Sequence, residues 1–139
     1  MSQPPTTPDL TDRTRQVFDA ASRRDSDAVL SFFAPDAVMD LSDGGLGTFR
    51  GIGAVRGFLE DWFGTWDSYE VDPEEVCDFG HGVVFIVYGE QGSMGSMGSV
   101  GQRRAWCLLW VEDLISFVAV YLDPEQARAA AQRLAEERE

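Results

Sequence analysis

At 139 residues with 44% hydrophobic side chains, the chain has material for one packed domain and too little for two. Its formal net charge of −13 sets up a field that repels nucleic acid and anionic membrane surfaces, so neither is expected as a partner. No lysine occurs, which excludes Schiff-base and general-base chemistry by that residue.

Residues 1–8, "MSQPPTTP", are Pro/Thr-rich and read as a disordered N-terminal segment ahead of a single domain over 9–139. Pro8 suits the first turn of a helix running to about Arg24, with Leu10, Val17, Phe18 and Ala21 on one stripe. A short second helix restarts with Asp25 or Ser26 as cap, turns Val29, Leu30, Phe32 and Phe33 inward, and ends before Pro35. "DAVMDLSDGG" follows as a strand and a glycine-rich turn, and "GTFRG" as a short edge segment. In "IGAVRGFLEDWFGTW" the positions Ile52, Val55, Phe58, Leu59, Trp62 and Trp66 recur at helical spacing. From Tyr69 the pattern becomes β: "YEVDPEEVCDF", a turn at "GHG", "VVFIVYGE", a glycine-rich connection, "RRAWCLLWV", a tight turn near Glu112 and Asp113, then "LISFVAVYLD". "DPEQARAAAQRLAEERE" closes the chain as a helix with Asp123 capping and Pro124 in its first turn.

This order gives an α+β fold with helices on one face of a curved antiparallel sheet. "GSMGSMGSVG", Gly92 to Gly101, is the low-complexity stretch. It reads either as a flexible hairpin tip or as a mobile rim with soft methionine contacts over a pocket. Cys77 and Cys107 lie in apolar runs without CxxC spacing and read as small buried hydrophobes in a reducing compartment. "MSQPPTTPDL" lacks a basic start followed by an apolar stretch, and a cytoplasmic location is the expectation. With His81 as the single histidine and no cluster at ligand spacing, neither a metal nor a cofactor is expected.

Taken together, "VFDAASRRDSDAVLSFFAPDAVMDL", "FRGIGAVRGFLEDWF", "VCDFGHGVVFIVY" and "VAVYLDPEQARAAA" resemble the SnoaL-like branch of the nuclear transport factor 2-like superfamily, over about residues 10–130. That superfamily also holds ketosteroid isomerases, limonene epoxide hydrolases and polyketide cyclases. The resemblance implies a cystatin-like α+β barrel: a cone of bent antiparallel sheet, closed by three helices on its concave face around an apolar pocket. It also implies a homodimer through the sheet's outer face. Activity does not follow from such a fold and has to be read position by position.

The isomerase pattern, matched onto this chain, falls on Val17, Leu41 and Trp106, all apolar. Each missing oxyanion donor forfeits roughly 3 kcal/mol of transition-state stabilisation, which argues against ketosteroid isomerase chemistry. The epoxide-hydrolase pattern falls on Val87, Gly89 and Val120, with Met39 and Leu41 on the first strand, and again no functional group is carried over. The implied pocket wall is therefore hydrocarbon: Val17, Met39, Leu41, Val87, Val120 and Leu122. Phe58, Trp62, Trp66 and Trp106 add flat surfaces suited to a hydrophobic cyclic metabolite.

Two polar candidates stand out. Asp40 lies between inward Met39 and Leu41, so strict alternation turns it to solvent. A one-residue bulge would turn it inward against Trp62 and Trp106, where desolvation would raise its pKa and suit it to general acid or base work. Both readings stand. Arg104 shares the pocket face with Trp106, Leu108 and Trp110, and either binds a substrate carboxylate or enolate at the mouth or pairs with a carboxylate of the chain. Tyr88 is expected outward, and Glu90 at the rim. Phe117, Ala119 and Tyr121 form an apolar outer stripe that fits a homodimer interface. The sequence thus points to a small-molecule binder with a Trp-lined pocket. If catalytic, it would be a cofactor-free isomerase, cyclase, lyase or hydrolase with Asp40 as base and Arg104 or Trp106 polarising or positioning the substrate. The alternative is a binding or interaction module without catalytic groups.

Overall fold

The computed structural model describes residues 9–95 and 98–139, so the N-terminal segment 1–8 falls outside the described residues, as do Ser96 and Met97. Helix α1 (Leu10–Ser22) is capped by Asp9, whose carboxylate accepts from the Thr11 and Asp12 amides. Of the two cap candidates for α2 (Ser26–Leu30), Asp25 takes the role and accepts from the Ala28 amide. Then come β1 (Phe33–Asp40), a 3-10 turn (Ser42–Gly44), β2 (Thr48–Arg50) and α3 (Ile52–Thr65). The second half is β3 (Ser68–Gly80), β4 (Val83–Ser93), β5 (Ser99–Val111), β6 (Leu114–Tyr121) and α4 (Pro124–Glu137). Asp123 caps α4 through the Glu125 amide, with Pro124 in its first turn.

The strands form one curved open sheet in the order β2-β1-β6-β5-β4-β3. Neighbours are antiparallel except β1 and β6, which run parallel. The wholly antiparallel sheet expected from the sequence is corrected at that junction, where the intervening chain supplies the long connection a parallel pair needs. Pro73 lies mid-strand in β3, which it tolerates because β3 is the edge. The register slips between Pro73 and Glu75 and bends the strand. Ser22 of α1 exchanges hydrogen bonds with the Val71 backbone, its hydroxyl donating to the carbonyl and accepting from the amide at 3.0 Å. This ties the helix to the bent edge.

The glycine-rich stretch is strand at both ends: β4 extends to Ser93 and β5 resumes at Ser99. The β3–β4 and β5–β6 hairpins turn through two-residue loops with positive φ at each position, the combination whose twist matches the flanking strands. His81 and Gly82 make one (φ 57° and 85°), and Glu112 and Asp113 make the other (φ 50° and 70°). The second does so without glycine, at about 1 kcal/mol of left-handed strain per residue. Replacing Glu112 and Asp113 by Asn and Gly is expected to raise stability by roughly 1 kcal/mol, read as a higher urea midpoint at unchanged slope. The Arg13 Nη2–H that donates to the Asp113 carbonyl at 2.9 Å keeps its backbone partner in that variant.

Burial divides into two layers. On the concave side, Val17, Phe18, Val29, Val55 and Leu59 of α1–α3 pack on Met39, Ile86, Leu108 and Val118. Trp110 donates its indole N–H to Thr14 at 3.1 Å, pinning α1 onto β5. On the convex side, Ala127, Ala131 and Ala135 of α4 make a small-residue stripe over Val83, Phe85, Val87, Ala105 and Cys107. Helices on one face of the sheet, as expected from the sequence, therefore holds for α1–α3 only, since α4 crosses to the other face. The alanines allow close approach there, and a strand apolar on both faces, Val83 to Tyr88 of β4, needs cover on both.

Candidate functional site

The concave layer encloses a cavity of about 70 Å³. Val17 comes from α1, Met39 from β1, Leu41 from the end of that strand and Val120 from β6, and they form its hydrocarbon floor. Phe58 and Trp62 of α3 and Trp106 of β5 form aromatic walls. Phe58 and Trp62 stack at 5.9 Å, and Trp106 packs on Phe18 at 4.6 Å. Leu46 stands at the mouth, 51% exposed, on the loop after the 3-10 turn.

Three residues expected in that wall are elsewhere. Val87 lies on the convex face beneath α4. Leu122 follows the end of β6 and is exposed. Trp66 is buried behind Trp62, edge-on to it at 5.6 Å, with its ring filling the space a side chain would need at Gly92. The alternation read from the sequence holds for β1, β5 and β6, whereas β4 runs in the opposite phase. Tyr88 and Glu90 consequently point into the cavity, correcting the outward placement of Tyr88.

These two create a polar end that the hydrocarbon expectation missed. Glu90 is 5% exposed and accepts three hydrogen bonds. Tyr69 O–H donates at 2.6 Å, Gln102 Nε2–H at 2.8 Å, and Arg104 Nε–H at 3.1 Å as part of an ion pair. Trp106 Nε1–H donates to the Tyr88 hydroxyl oxygen at 3.1 Å. Burial, reinforced by the Glu90 charge, pushes both the Tyr69 and the Tyr88 phenol well above the usual tyrosine range, so both stay protonated donors near neutral pH. Arg104 is thus a cavity residue, as read from the sequence, and its partner is a carboxylate of the chain. Neither Tyr69 nor Phe18, which the sequence places on the apolar stripe of α1, is among the pocket residues read from the sequence. The available signal was cross-strand: Tyr88 stands opposite Arg104, and Glu90 opposite Gln102.

Asp40 faces away from the cavity. Its Oδ1 accepts from the Ser42 amide at 2.9 Å, from the Ser42 hydroxyl at 2.5 Å and from the Thr48 hydroxyl at 3.3 Å. No bulge reverses the end of β1, where Val38, Met39 and Asp40 pair in unbroken register with β2 and β6. The inward alternative is corrected on that ground. The Ser42 hydroxyl, then its amide, hold the carboxyl below the usual Asp range. A depressed folded pKa stabilises above the ordinary Asp value and is lost as pH falls through the folded one, so the mouth loop loosens in acid. Asp43 fastens the same loop by accepting from the Leu122 amide at 2.9 Å. Asp40→Ala is expected to speed amide exchange at Ser42 and Leu46 severalfold at pH 7, while Leu108 keeps its protection.

His81 sits in the β3–β4 turn, where its carbonyl accepts from Arg138 Nε at 2.9 Å. Ser116 donates to the Leu109 carbonyl at 3.4 Å. Among the described residues no group of three His, Cys, Asp or Glu side chains gathers at metal-ligand spacing. Cys77 and Cys107 are free thiols, and burial pushes the Cys107 thiol up to about 11. No described helix is long and apolar enough to cross a membrane.

No curated protein matches the chain. Solved structures do: an NTF2-like protein of unknown function from Burkholderia pseudomallei superimposes with a TM-score of 0.72 at 20% identity, over 85% of this chain and 94% of that one. A protein with a ketosteroid isomerase-like fold from Catenulispora acidiphila, in complex with trimethylamine, gives 0.71 at 19% identity, over 84% and 86%. TerC, co-crystallised with polyporic acid, gives 0.70 at 16% identity, over 87% and 96%. At such identities these likenesses concern the fold. The SnoaL-like domain family matches residues 14–115, which run from the Thr14 anchor of α1 through the cavity strands into β6, and the chain belongs to that family.

Proposed function

We propose that this protein binds a small, flat, largely apolar molecule in the concave cavity. The observation carrying the reading is a cavity with Phe58, Trp62 and Trp106 as walls and a buried, hydrogen-bonded ion pair at one end. A core built only for packing would close such a space with side chains. Pockets for larger ligands run to roughly 300–1,000 Å³, so a cavity of about 70 Å³ favours a single ring unless the mouth loop and α3 open. The co-crystallisation of TerC with polyporic acid supports small-molecule binding within this fold.

Mass spectrometry of the native protein under non-denaturing conditions is expected to show a copurifying molecule that departs on denaturation. A ring ligand is expected to quench tryptophan fluorescence, and Trp62→Ala to weaken its affinity about tenfold or more. Unchanged affinity in Trp62→Ala would remove the cavity as the binding site.

A second reading is a cofactor-free acid–base enzyme such as an isomerase, cyclase or hydrolase. It is favoured by the Glu90 carboxylate at the cavity wall, with the Tyr69 hydroxyl oxygen 2.6 Å away and donating to it. In this reading Glu90 takes the part the sequence offered to Asp40, because Glu90 borders the cavity. Glu90→Gln separates the readings: an enzyme loses turnover and keeps ligand affinity.

The outer-face homodimer has less surface than the sequence suggested. Tyr121 already packs with the layer under α4, and Ala119 is buried within the single chain. Phe117 is the half-exposed residue left for a second copy, and sedimentation equilibrium with Phe117→Asp tests it.

A further inference from the structure

We propose that the Tyr88 hydroxyl and the terminal nitrogens of Arg104 form a subsite for an uncharged acceptor oxygen on the ligand, a carbonyl attached to the ring, and that the subsite selects against carboxylates. The subsite rests on the cavity-binding reading above, and adds to it which functional group the ring carries.

Three observations support it. Tyr88 is 4% exposed and lines the cavity, its oxygen receives the Trp106 indole N–H, and among the described residues its own O–H has no acceptor. The bond from Trp106 uses the Tyr88 oxygen as an acceptor and leaves its proton available to a ligand. Arg104 spends Nε on Glu90, and among the described residues neither of its Nη groups meets an acceptor. Glu90 is held in place by Tyr69, Gln102 and Arg104, and accepts neither from the Tyr88 hydroxyl nor from the Arg104 Nη groups. Unused donors on two cross-strand partners, Tyr88 and Arg104, therefore both border the cavity, with Arg104 Nη1 reaching toward Gly44 at the mouth loop. They also stand at positions different from Val17, Leu41 and Trp106, where the isomerase pattern would place its functional groups.

The sign of the ligand charge follows from the pairing. Arg104 and Glu90 lie 3.1 Å apart and neutralise each other. A carboxylate would bring a second negative charge beside Glu90, partly screened from water, with no further cation in the cavity wall to match it. A neutral carbonyl accepts from Tyr88 and Arg104 without that cost.

The full chain is titrated by calorimetry at pH 7 with ethylbenzene, acetophenone and benzoate, and again as Tyr88→Phe. The subsite predicts that Tyr88→Phe weakens acetophenone about tenfold, leaves ethylbenzene within about twofold, and that benzoate binds at least tenfold more weakly than acetophenone. It also predicts that the carbonyl stretch of bound acetophenone moves to lower frequency in the unaltered chain and returns in Tyr88→Phe. Equal effects of Tyr88→Phe on the two neutral compounds, no effect on either, or benzoate binding as tightly as acetophenone, each overturns the subsite and leaves the cavity reading in place. Binding by none of the three overturns both. If Tyr88→Phe does not fold, the carbonyl stretch in the unaltered chain decides: a frequency equal to that in hydrocarbon solvent overturns the subsite.

Discussion

Glu90→Ala is expected to lower stability by about 3 kcal/mol, the usual consequence of removing one partner of a largely buried ion pair. Three donors lose their acceptor at once: Tyr69 O–H, Gln102 Nε2–H and Arg104 Nε–H. Gln102 is exposed and turns to water, whereas Tyr69 and Arg104 stand in the cavity wall. With side-chain exposure of 19%, Arg104 keeps some access to solvent, which holds the loss at the lower end of the range for buried pairs. For a chain of 139 residues, 1 kcal/mol corresponds to about 3 °C in Tm, so a fall of roughly 10 °C is the calorimetric reading. Glu90→Gln keeps an acceptor for Tyr69 and is expected to cost less than half as much. A pair change, Glu90→Leu with Arg104→Met, removes both charges and is expected to recover much of the stability lost in Glu90→Ala. A loss below about 1 kcal/mol in Glu90→Ala would mean that water reaches the pair freely.

Most of the architecture was legible because period and caps agreed. Asp25, Asp123 and Pro124 announced helix starts, and "GHG" and Glu112-Asp113 fell at the hairpin turns. The floor of the cavity was legible as well, since β1 and β6 alternate over their final residues. What the sequence concealed is concentrated in β4. "VVFIVY" is apolar at every position because α4 covers one face and the cavity helices cover the other, so alternation says nothing about which residue points where. Matching to the epoxide-hydrolase pattern then placed Val87 and Gly89 inside, one residue out of phase. The informative feature was charge: with Arg104 on the pocket face, a strand neighbour offering Glu90 two residues from Tyr88 had a reason to face it. The side of the sheet taken by α4 was concealed for the related reason that its alanine stripe looks alike for any apolar seat. Asp40 gave up its true role only with the loop in view, because accepting from Ser42 and Thr48 requires a chain reversal that alternation does not describe.

Gly82→Ala is expected to destabilise the protein by about 3 kcal/mol, through two independent penalties at one atom. Gly82 has φ of 85°, the left-handed region in which a Cβ costs roughly 1–2 kcal/mol. The added carbon would also collide with the Trp110 carbonyl oxygen, which is backbone and cannot swing aside, since the Trp110 amide donates to the Gly82 carbonyl at 2.8 Å. Relief requires parting the β3–β4 turn from β5. That movement strains the register that puts Tyr88 and Glu90 inside, because a slip of one residue in β4 exchanges its two faces. The variant is therefore expected to lose ligand affinity along with stability, although Gly82 stands at the opposite end of β4 from the polar cluster. Gly80→Ala, two residues earlier at φ 87°, isolates the first penalty, because the Cβ it gains meets open space. It is expected to cost about 1–2 kcal/mol, less than Gly82→Ala, and to leave binding as it is. Equal losses in the two variants, compared by urea unfolding, would show that the left-handed turn and not the contact with Trp110 makes glycine necessary.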